Sequence, residues 1–262
     1  MTTRLSPRFT SSRLFFKFPS TFIGWAQTVH SLSHLRQPSR LIPLTLTIPH
    51  RLSLHISRMS SSGKQPSKPS MRRLVNFYDP ATKGPDAHGR TLDDILGWSD
   101  DKLESQHNYI QTVFPLPEGS GFGHLAPIID EETMLLFRQS SELRRNLLRA
   151  LKRMLAFYGF NAEDKEGDEF RLNITPKRDC EVGFSRWVVR LDHNHLRITR
   201  ILRSLRVLGL EGAARDFYDV LIEVCKTRGG VGSSSIGYWT RALEKPLRYA
   251  PDGTEVSWLE KY

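Results

Sequence analysis

Apolar residues recur at helical spacing through most of the chain after residue 91, and this pattern most limits the possible folds. In the longest such segment, residues 141–158, one face carries Leu143, Leu147, Leu151, Leu155 and Tyr158. Ser140 or Ser141 stands before this segment as an N-cap, and Gly159 follows it as a C-terminal cap. The spacing predicts an amphipathic helix with one buried face.

Six more helices are predicted from the same spacing, from capping residues and from prolines and glycines. They cover about residues 92–98, 99–114, 130–139, 192–208, 211–227 and 233–245. Residues 161–185 mix charged residues with glycine and proline, which indicates a long loop, and no strand pair is predicted. The predicted fold class is therefore all-α, a single bundle-like domain of about seven helices.

Charge divides the chain into an N-terminal segment and the predicted domain. Residues 1–78 hold 12 of the 38 lysines and arginines and no aspartate or glutamate. The other 184 residues hold 26 basic and all 28 acidic residues, a net charge of −2. The domain itself thus gives no strong case for nucleic-acid binding. We predict a disordered basic tail over 1–75, a domain over 76–250 and a loose end over 251–262.

Three interpretations of the N-terminal segment stay open. An acid-poor segment rich in arginine and serine is typical of a mitochondrial transit peptide. It is also typical of a disordered basic arm that binds acidic surfaces. Alternatively, translation starts at Met59 or Met71, so that the segment is not made. No window contains 18 uninterrupted apolar residues, so no transmembrane helix is predicted.

Residues 192–195, Asp-His-Asn-His, form the cluster most like a metal or acid–base site. His193 and His195 are two residues apart, whereas two ligands on one helix face need a spacing of three or four. Cys180 and Cys225 form neither a disulfide framework nor a metal set. A metal-assisted hydrolase centred on Asp192, His193 and His195 stays as an alternative function, but we predict no enzyme, no metal and no cofactor.

Two glycine-rich segments, 119–123 and 229–235, meet only part of the requirements of phosphate-binding loops. The first follows a helix and two prolines, whereas a dinucleotide-binding loop follows a strand. The second precedes a helix whose free N–H groups could hold an anion, but it lacks the lysine of a Walker loop. Both are interpreted as ordinary loops, and Ser233 or Ser234 is predicted to cap the last helix.

An arginine row in the fifth predicted helix requires an explanation of its own. Arg197, Arg200, Arg203 and Arg206 recur every three residues, so the row winds around the helix and part of it must meet other helices. Arg197 and Arg200 are predicted to be enclosed, with carboxylates at Asp100, Asp101 or Glu104 as partners. The row is either a set of internal clamps, an anion- or RNA-binding surface, or a solvated face.

Four segments carry specific residue combinations. They are Asn-Phe-Tyr at 76–78, Thr-Leu-Asp-Asp-Ile-Leu-Gly-Trp followed by His-Asn-Tyr-Ile-Gln within 91–111, Met-Leu-Ala-Phe-Tyr-Gly at 154–159, and His-Asn-His-Leu-Arg-Ile-Thr-Arg-Ile-Leu at 193–202. In this order they resemble the conserved region of the opioid growth factor receptor family. The second and fourth segments are the most specific in combination. The chain resembles a short member without the C-terminal repeats of vertebrate members.

The resemblance implies a helical, non-enzymatic, receptor-like domain with an unknown peptide or protein partner. The vertebrate namesake is described as a receptor for an enkephalin peptide, associated with the nucleus and its membrane. Peripheral association with the nuclear membrane is therefore an expectation for this chain. The residues proposed for ligand or anion binding, or for a structural clamp, are His107, Tyr109, Gln111, His193, Arg197, Thr199 and Arg200.

Overall fold

The computed structural model describes residues 69–119 and 126–262, with side chains from residue 72 onward. The predicted tail up to residue 68 and most of the first glycine-rich segment lie outside these ranges. The described residues form ten α-helices and one two-stranded sheet. The helices are α1 (Pro69–Tyr78), α2 (Leu92–Leu96), α3 (Asp100–Ser105), α4 (Ile110–Val113), α5 (Glu131–Gln139), α6 (Ser141–Phe157), α7 (Cys180–Phe184), α8 (His193–Val207), α9 (Glu211–Arg228) and α10 (Ser233–Glu244).

Helix starts agree closely with the sequence, because an N-cap acts within three residues. The side chains of Thr91, Ser99, Asp130, Ser140 and Asp192 each accept a hydrogen bond from the first turn of the helix that follows. Thr91 and Asp94 complete the predicted capping box. The predicted cap at Ser233 or Ser234 is wrong, since Gly232 occupies the N-cap of α10 and no side chain caps it.

The core takes residues from most of the described helices, and α6, α8 and α9 contribute many of them. The predicted face of α6 is buried, including Leu147, Leu151 and Leu155, and α8 contributes Ile198, Ile201, Leu202 and Leu205. Helix α8 packs against both α9 and α10, and α6 packs against α5 and the first strand of the sheet. Helix α8 is therefore central, which leaves little of its circumference in contact with solvent.

The sheet corrects the prediction of an all-α fold with a loop at 161–185. Strands β1 (Phe160–Asp164) and β2 (Leu172–Pro176) pair antiparallel, with Phe160 opposite Pro176. Asp216 of α9 accepts hydrogen bonds from the Leu172 N–H at 2.9 Å and from Arg171 Nε at 2.8 Å. This anchor lies more than 40 residues away in sequence, so the local pattern did not show it.

The predicted helix over 99–114 is also corrected, because the structure divides it into α3 and α4. Gln106 has φ −89° and ψ 133°, an extended conformation that ends α3. The next helical residue is Ile110. Residues 106–109 form the connection, and the carbonyl group of Gln106 accepts a hydrogen bond from Arg197 of α8.

The ordered region extends beyond both predicted ends of the domain. Helix α1 begins before residue 76 and buries Leu74 and Phe77. Residues 251–262 are not loose: they contain a 3₁₀ turn at Ser257–Leu259 and bury Val256 and Leu259. Among the described helices, none is both long and apolar enough to cross a membrane.

Candidate binding site at the α3–α8 junction

Arg197 explains the break between α3 and α4. Its side chain is only 5% exposed, and its Nη2 donates to the carbonyls of Glu104 at 3.2 Å and Gln106 at 2.8 Å. In a continuous helix the amides of residues 108 and 110 would occupy these carbonyls. Arg197 Nη1 also donates to Asn194 Oδ1 at 3.1 Å. The guanidinium thus fastens the end of α3 to the start of α8.

Glu104 is the carboxylate of this junction. Its Oε2 lies 3.7 Å from Arg197 Nη1 and accepts from Asn194 Nδ2 at 3.2 Å, and its Oε1 lies 3.3 Å from His193 Nε2. Burial opposes ionisation, but the hydrogen bonds from His193 and Asn194 outweigh it and lower the pKa of Glu104. The carboxylate is therefore ionised and committed to groups of α8.

Two imidazoles lie next to this pair and face solvent. The His107 and His193 rings meet edge to face with centroids 5.5 Å apart. His107 Nδ1 lies 3.3 Å from Arg197 Nη2 and accepts a hydrogen bond from it. Partial burial, followed by the charges of Arg197 and His193, lowers the pKa of His107. We call His107, His193 and Glu104, together with the Arg197 beneath them, the imidazole site.

The other proposed signature residues lie below or beside the imidazole site. Tyr109 is buried beneath Arg197, whose Cζ is 5.6 Å from the ring centroid, and burial raises the pKa of Tyr109 to about 12. The amide of Gln111 lies 3.0 Å from the His107 carbonyl, to which its nitrogen donates. The Thr199 hydroxyl donates to the His195 carbonyl within α8. These three residues support the site and do not line it.

The rest of the arginine row is also enclosed. Arg200 donates to the Phe114 carbonyl at 3.1 Å, and Arg206 donates to two carbonyls at the end of α10 at 2.9 Å. Burial lowers the pKa of both guanidiniums to about 10. Arg203 is only 1% exposed and lies 3.4 Å from Glu118, although only Arg197 and Arg200 were predicted to be enclosed.

The same arrangement recurs elsewhere in the described chain. Arg138 donates to the carbonyls of Arg206 and Val207 at the end of α8. Arg153 donates to the carbonyls of Leu96, the last residue of α2, and Trp98, and Arg186 donates to the Phe157 carbonyl at the end of α6. We call these contacts, with those of Arg197, Arg200 and Arg206, the guanidinium caps. Each satisfies carbonyls that a helix C-terminus leaves open.

Asp100 and Asp101 do not meet the arginine row. Asp100 accepts from Arg153 at 2.7 Å and from Arg186 at 3.1 Å, and Asp101 is exposed. Of the three carboxylates proposed as partners, Glu104 alone contacts α8 in the described contacts. The sequence carried no signal for Arg153 or Arg186, because both look like ordinary polar residues outside an apolar face.

The structure does not bring Asp192, His193 and His195 together as a metal or hydrolase centre. His195 is buried, its Nε2 donates to the Trp187 carbonyl at 2.7 Å, and its Nδ1 lies 2.8 Å from Ser235 Oγ. Asp192 caps α8 by accepting from the Asn194 N–H at 2.7 Å. Within residues 69–119 and 126–262, no group of three His, Cys, Asp or Glu side chains is suited to a metal ion.

Two exposed leucines flank the imidazole site along the sequence. Leu196 is 64% exposed and Leu191 is 79% exposed. Leu191 precedes the Asp192 cap and Leu196 lies in the first turn after it, the positions of a hydrophobic staple. Leu196 and His193 are three residues apart and share one helix face.

These features define a helical domain whose helix ends are held by guanidinium caps and whose surface presents a pair of imidazoles. Residues 68–248 match the model of the family described as the opioid growth factor receptor (OGFr) conserved region. The match covers more than half of the chain, so the chain belongs to this family.

Curated relatives share the same segment. The human opioid growth factor receptor is 36% identical over 163 residues, which cover 60% of this chain and 23% of the relative. The rat receptor is 43% identical over 129 residues, or 47% of this chain and 21% of the relative. Opioid growth factor receptor-like protein 1 of Xenopus tropicalis is 32% identical over 174 residues, or 62% and 33%. The matched segment thus spans a third or less of each relative, and no solved structure matches the chain.

Proposed function

We propose that this domain is a non-catalytic, receptor-like module that binds a peptide at the imidazole site. The observation that carries the proposal is the meeting of His107 with His193. These residues come from the two most family-specific segments, and their rings lie 5.5 Å apart on the surface. Packing of the core does not require two imidazoles that are accessible to solvent. The names of the human and rat relatives suggest an opioid growth factor as the ligand class.

The chemistry of the surface suits a short peptide with both apolar and charged groups. Leu191 and Leu196 offer apolar area, which supplies most of the affinity when it is covered. The exposed imidazole of His107 offers a hydrogen bond that fixes orientation. The arginine row does not support an anion- or RNA-binding surface, because Arg197, Arg200 and Arg206 already donate to carbonyls within the fold.

The non-catalytic part of the proposal is supported by the position of His195. This imidazole is hydrogen-bonded to Ser235, as a catalytic base would be to a nucleophile. However, it is 4% exposed and packs edge to face against Trp239, so a substrate has no approach to the ring. A nuclear or perinuclear location is proposed from the resemblance alone. A mitochondrial location would require that the N-terminal segment is translated as a transit peptide.

Isothermal titration of the full chain with an enkephalin peptide tests the proposal. We expect saturable binding of the peptide and none of a scrambled peptide of equal composition. Leu196→Ser should weaken binding about tenfold, equivalent to about 1.4 kcal/mol. Val182→Ser is the matched control, since Val182 is equally exposed at 65% but lies on α7.

Binding that Leu196→Ser and Val182→Ser weaken equally would place the ligand elsewhere. Absence of binding by the wild-type chain would contradict the peptide-receptor function itself.

A further inference from the structure

The outer side of helix α5 carries apolar area that the core does not cover. The helix buries Thr133, Met134 and Phe137 on its inner side. Leu136 is 39% exposed, and its neighbour Leu135 is half-buried at the edge of the core. Positions three or four residues apart share one side of a helix, so the outer residues form a single stripe. A shallow hollow of about 460 Å³ is lined by Glu131, Glu132, Leu135, Leu136 and Gln139, which we call the α5 face.

Negative charge borders this apolar area. Glu132 is exposed, and no basic side chain pairs with it among the residues that the structure describes. Arg138 is the one basic residue of α5, but it donates to the carbonyls of Arg206 and Val207 at the end of α8. The α5 face therefore combines apolar side chains with uncompensated negative charge, and a segment that is both apolar and basic complements it.

Two residues of the same chain show which chemistry this face accepts. Lys261 Nζ lies 2.5 Å from Glu131 Oε1, and the Tyr262 hydroxyl donates to the same oxygen at 2.7 Å. The hydrogen bonds from Lys261 and Tyr262 lower the pKa of Glu131, so its carboxylate is ionised at neutral pH. The Lys261 side chain is 61% exposed, and an exposed ion pair of this kind is weak and easily exchanged. A basic and an aromatic residue thus already contact one end of the α5 face.

We propose that the α5 face docks a basic, apolar segment of a partner protein, and that Lys261 and Tyr262 hold part of this face in the free chain. A lysine or arginine of the segment pairs with Glu132, and another replaces Lys261 at Glu131. An apolar side chain of the segment covers Leu136, and the covered apolar area supplies the affinity. The α5 face shares no residue with the imidazole site, so this inference does not depend on the proposed peptide binding there.

Fluorescence anisotropy with a labelled peptide tests the docking surface. The probe is an amphipathic peptide of repeated Lys-Leu-Leu-Lys units, and its counterpart has glutamate in place of every lysine. We expect the full chain to bind the lysine peptide saturably. The glutamate peptide should bind about tenfold more weakly, because like charges would meet at Glu131 and Glu132.

Charge and apolar variants locate the bound peptide. Glu132→Lys should weaken binding of the lysine peptide about tenfold, since it reverses the charge beside the apolar area. Glu223→Lys, at an exposed glutamate of α9, makes the same change in net charge and should leave the affinity within about twofold of wild type. Leu136→Ser should also weaken binding, whereas Val182→Ser on α7 should not. All four positions are exposed, and circular dichroism checks that each variant is folded.

Deletion of Lys261 and Tyr262 tests the competition for the α5 face. Removal of an intramolecular occupant raises the fraction of chains that can bind, so the deletion should tighten binding of the lysine peptide about threefold. Unchanged affinity after the deletion would overturn the competition. Equal binding of the two peptides, equal effects of Glu132→Lys and Glu223→Lys, or absence of binding by the wild-type chain would overturn the docking surface itself.

Discussion

At the scale of single residues, Arg197 shapes the site more than any group that faces solvent. It ends α3, orients His107 through Nδ1 and holds Glu104 against α8. The sequence predicted that Arg197 would be enclosed and that Glu104 was a candidate partner, because a three-residue row must turn inward. It did not predict carbonyl acceptors, since Gln106 lies 91 residues away and any backbone offers carbonyls.

Arg197→Ala should destabilise the domain by about 2–4 kcal/mol, because it removes charge-assisted hydrogen bonds and strands the Glu104 carboxylate. The stability of Arg197→Lys should lie between those of the wild type and Arg197→Ala, since an ammonium group keeps the charge without the planar fork. Arg190→Ala, at an exposed position, should stay within about 0.5 kcal/mol of wild type. Urea unfolding measures all three, and equal stabilities of the Arg197 and Arg190 variants would refute the clamp.

At the scale of elements, the bounds of most helices were predictable, but the contacts that hold their C-terminal ends were not. Thr91 caps a helix from three residues away, so the signal is local. The carbonyl of Leu96, at the end of the same helix, is bound by Arg153, 57 residues later. The hairpin was missed for the same reason, because Asp216 of α9, which anchors β2, is distant from it in the sequence. Leu172 and Ile174 alternate in burial, but this short signal was outweighed by charged and turn-forming neighbours.

Helix α7 packs directly onto the chain segment between α6 and β1. Gly159 has φ +94°, and a Cβ built on Gly183 would fall on the Gly159 backbone. Gly183→Ala should therefore push α7 away and cost about 1–3 kcal/mol through overpacking. Gly119→Ala is the control, since nothing lies within 4 Å of a Cβ there. Thermal melting followed by circular dichroism measures the difference, and equal melting temperatures would rule out the close contact.

At the scale of the whole molecule, the last residues belong to the domain. The sequence suggested a loose end after residue 250, because charged residues and glycine dilute the apolar pattern. The structure buries Val256 and Leu259 and adds them to the core. The α-helical character was thus predictable from periodicity, whereas the extent of the core depended on contacts between distant segments.

Deletion of residues 251–262 should destabilise the domain by about 3 kcal/mol, since burial of a Val or Leu side chain contributes about 1.5–3 kcal/mol. The shorter deletion of 261–262 removes only exposed contacts to Glu131 and should leave the unfolding midpoint unchanged. Guanidinium chloride unfolding compares the two truncated chains with the full chain. Matching midpoints for both deletions would show that the end is dispensable.

Several guanidinium caps join segments that the ribosome makes far apart in time. Domains fold as the ribosome releases them from the N-terminus. Helices α3 and α4 emerge early, but Arg197 and Arg200 close their C-terminal ends from 86 to 93 residues downstream. The carbonyl groups at the ends of α3 and α4 therefore have no guanidinium donor until α8 leaves the exit tunnel. A nascent chain paused before α8 therefore lacks the guanidinium donors that these carbonyl groups have in the complete domain.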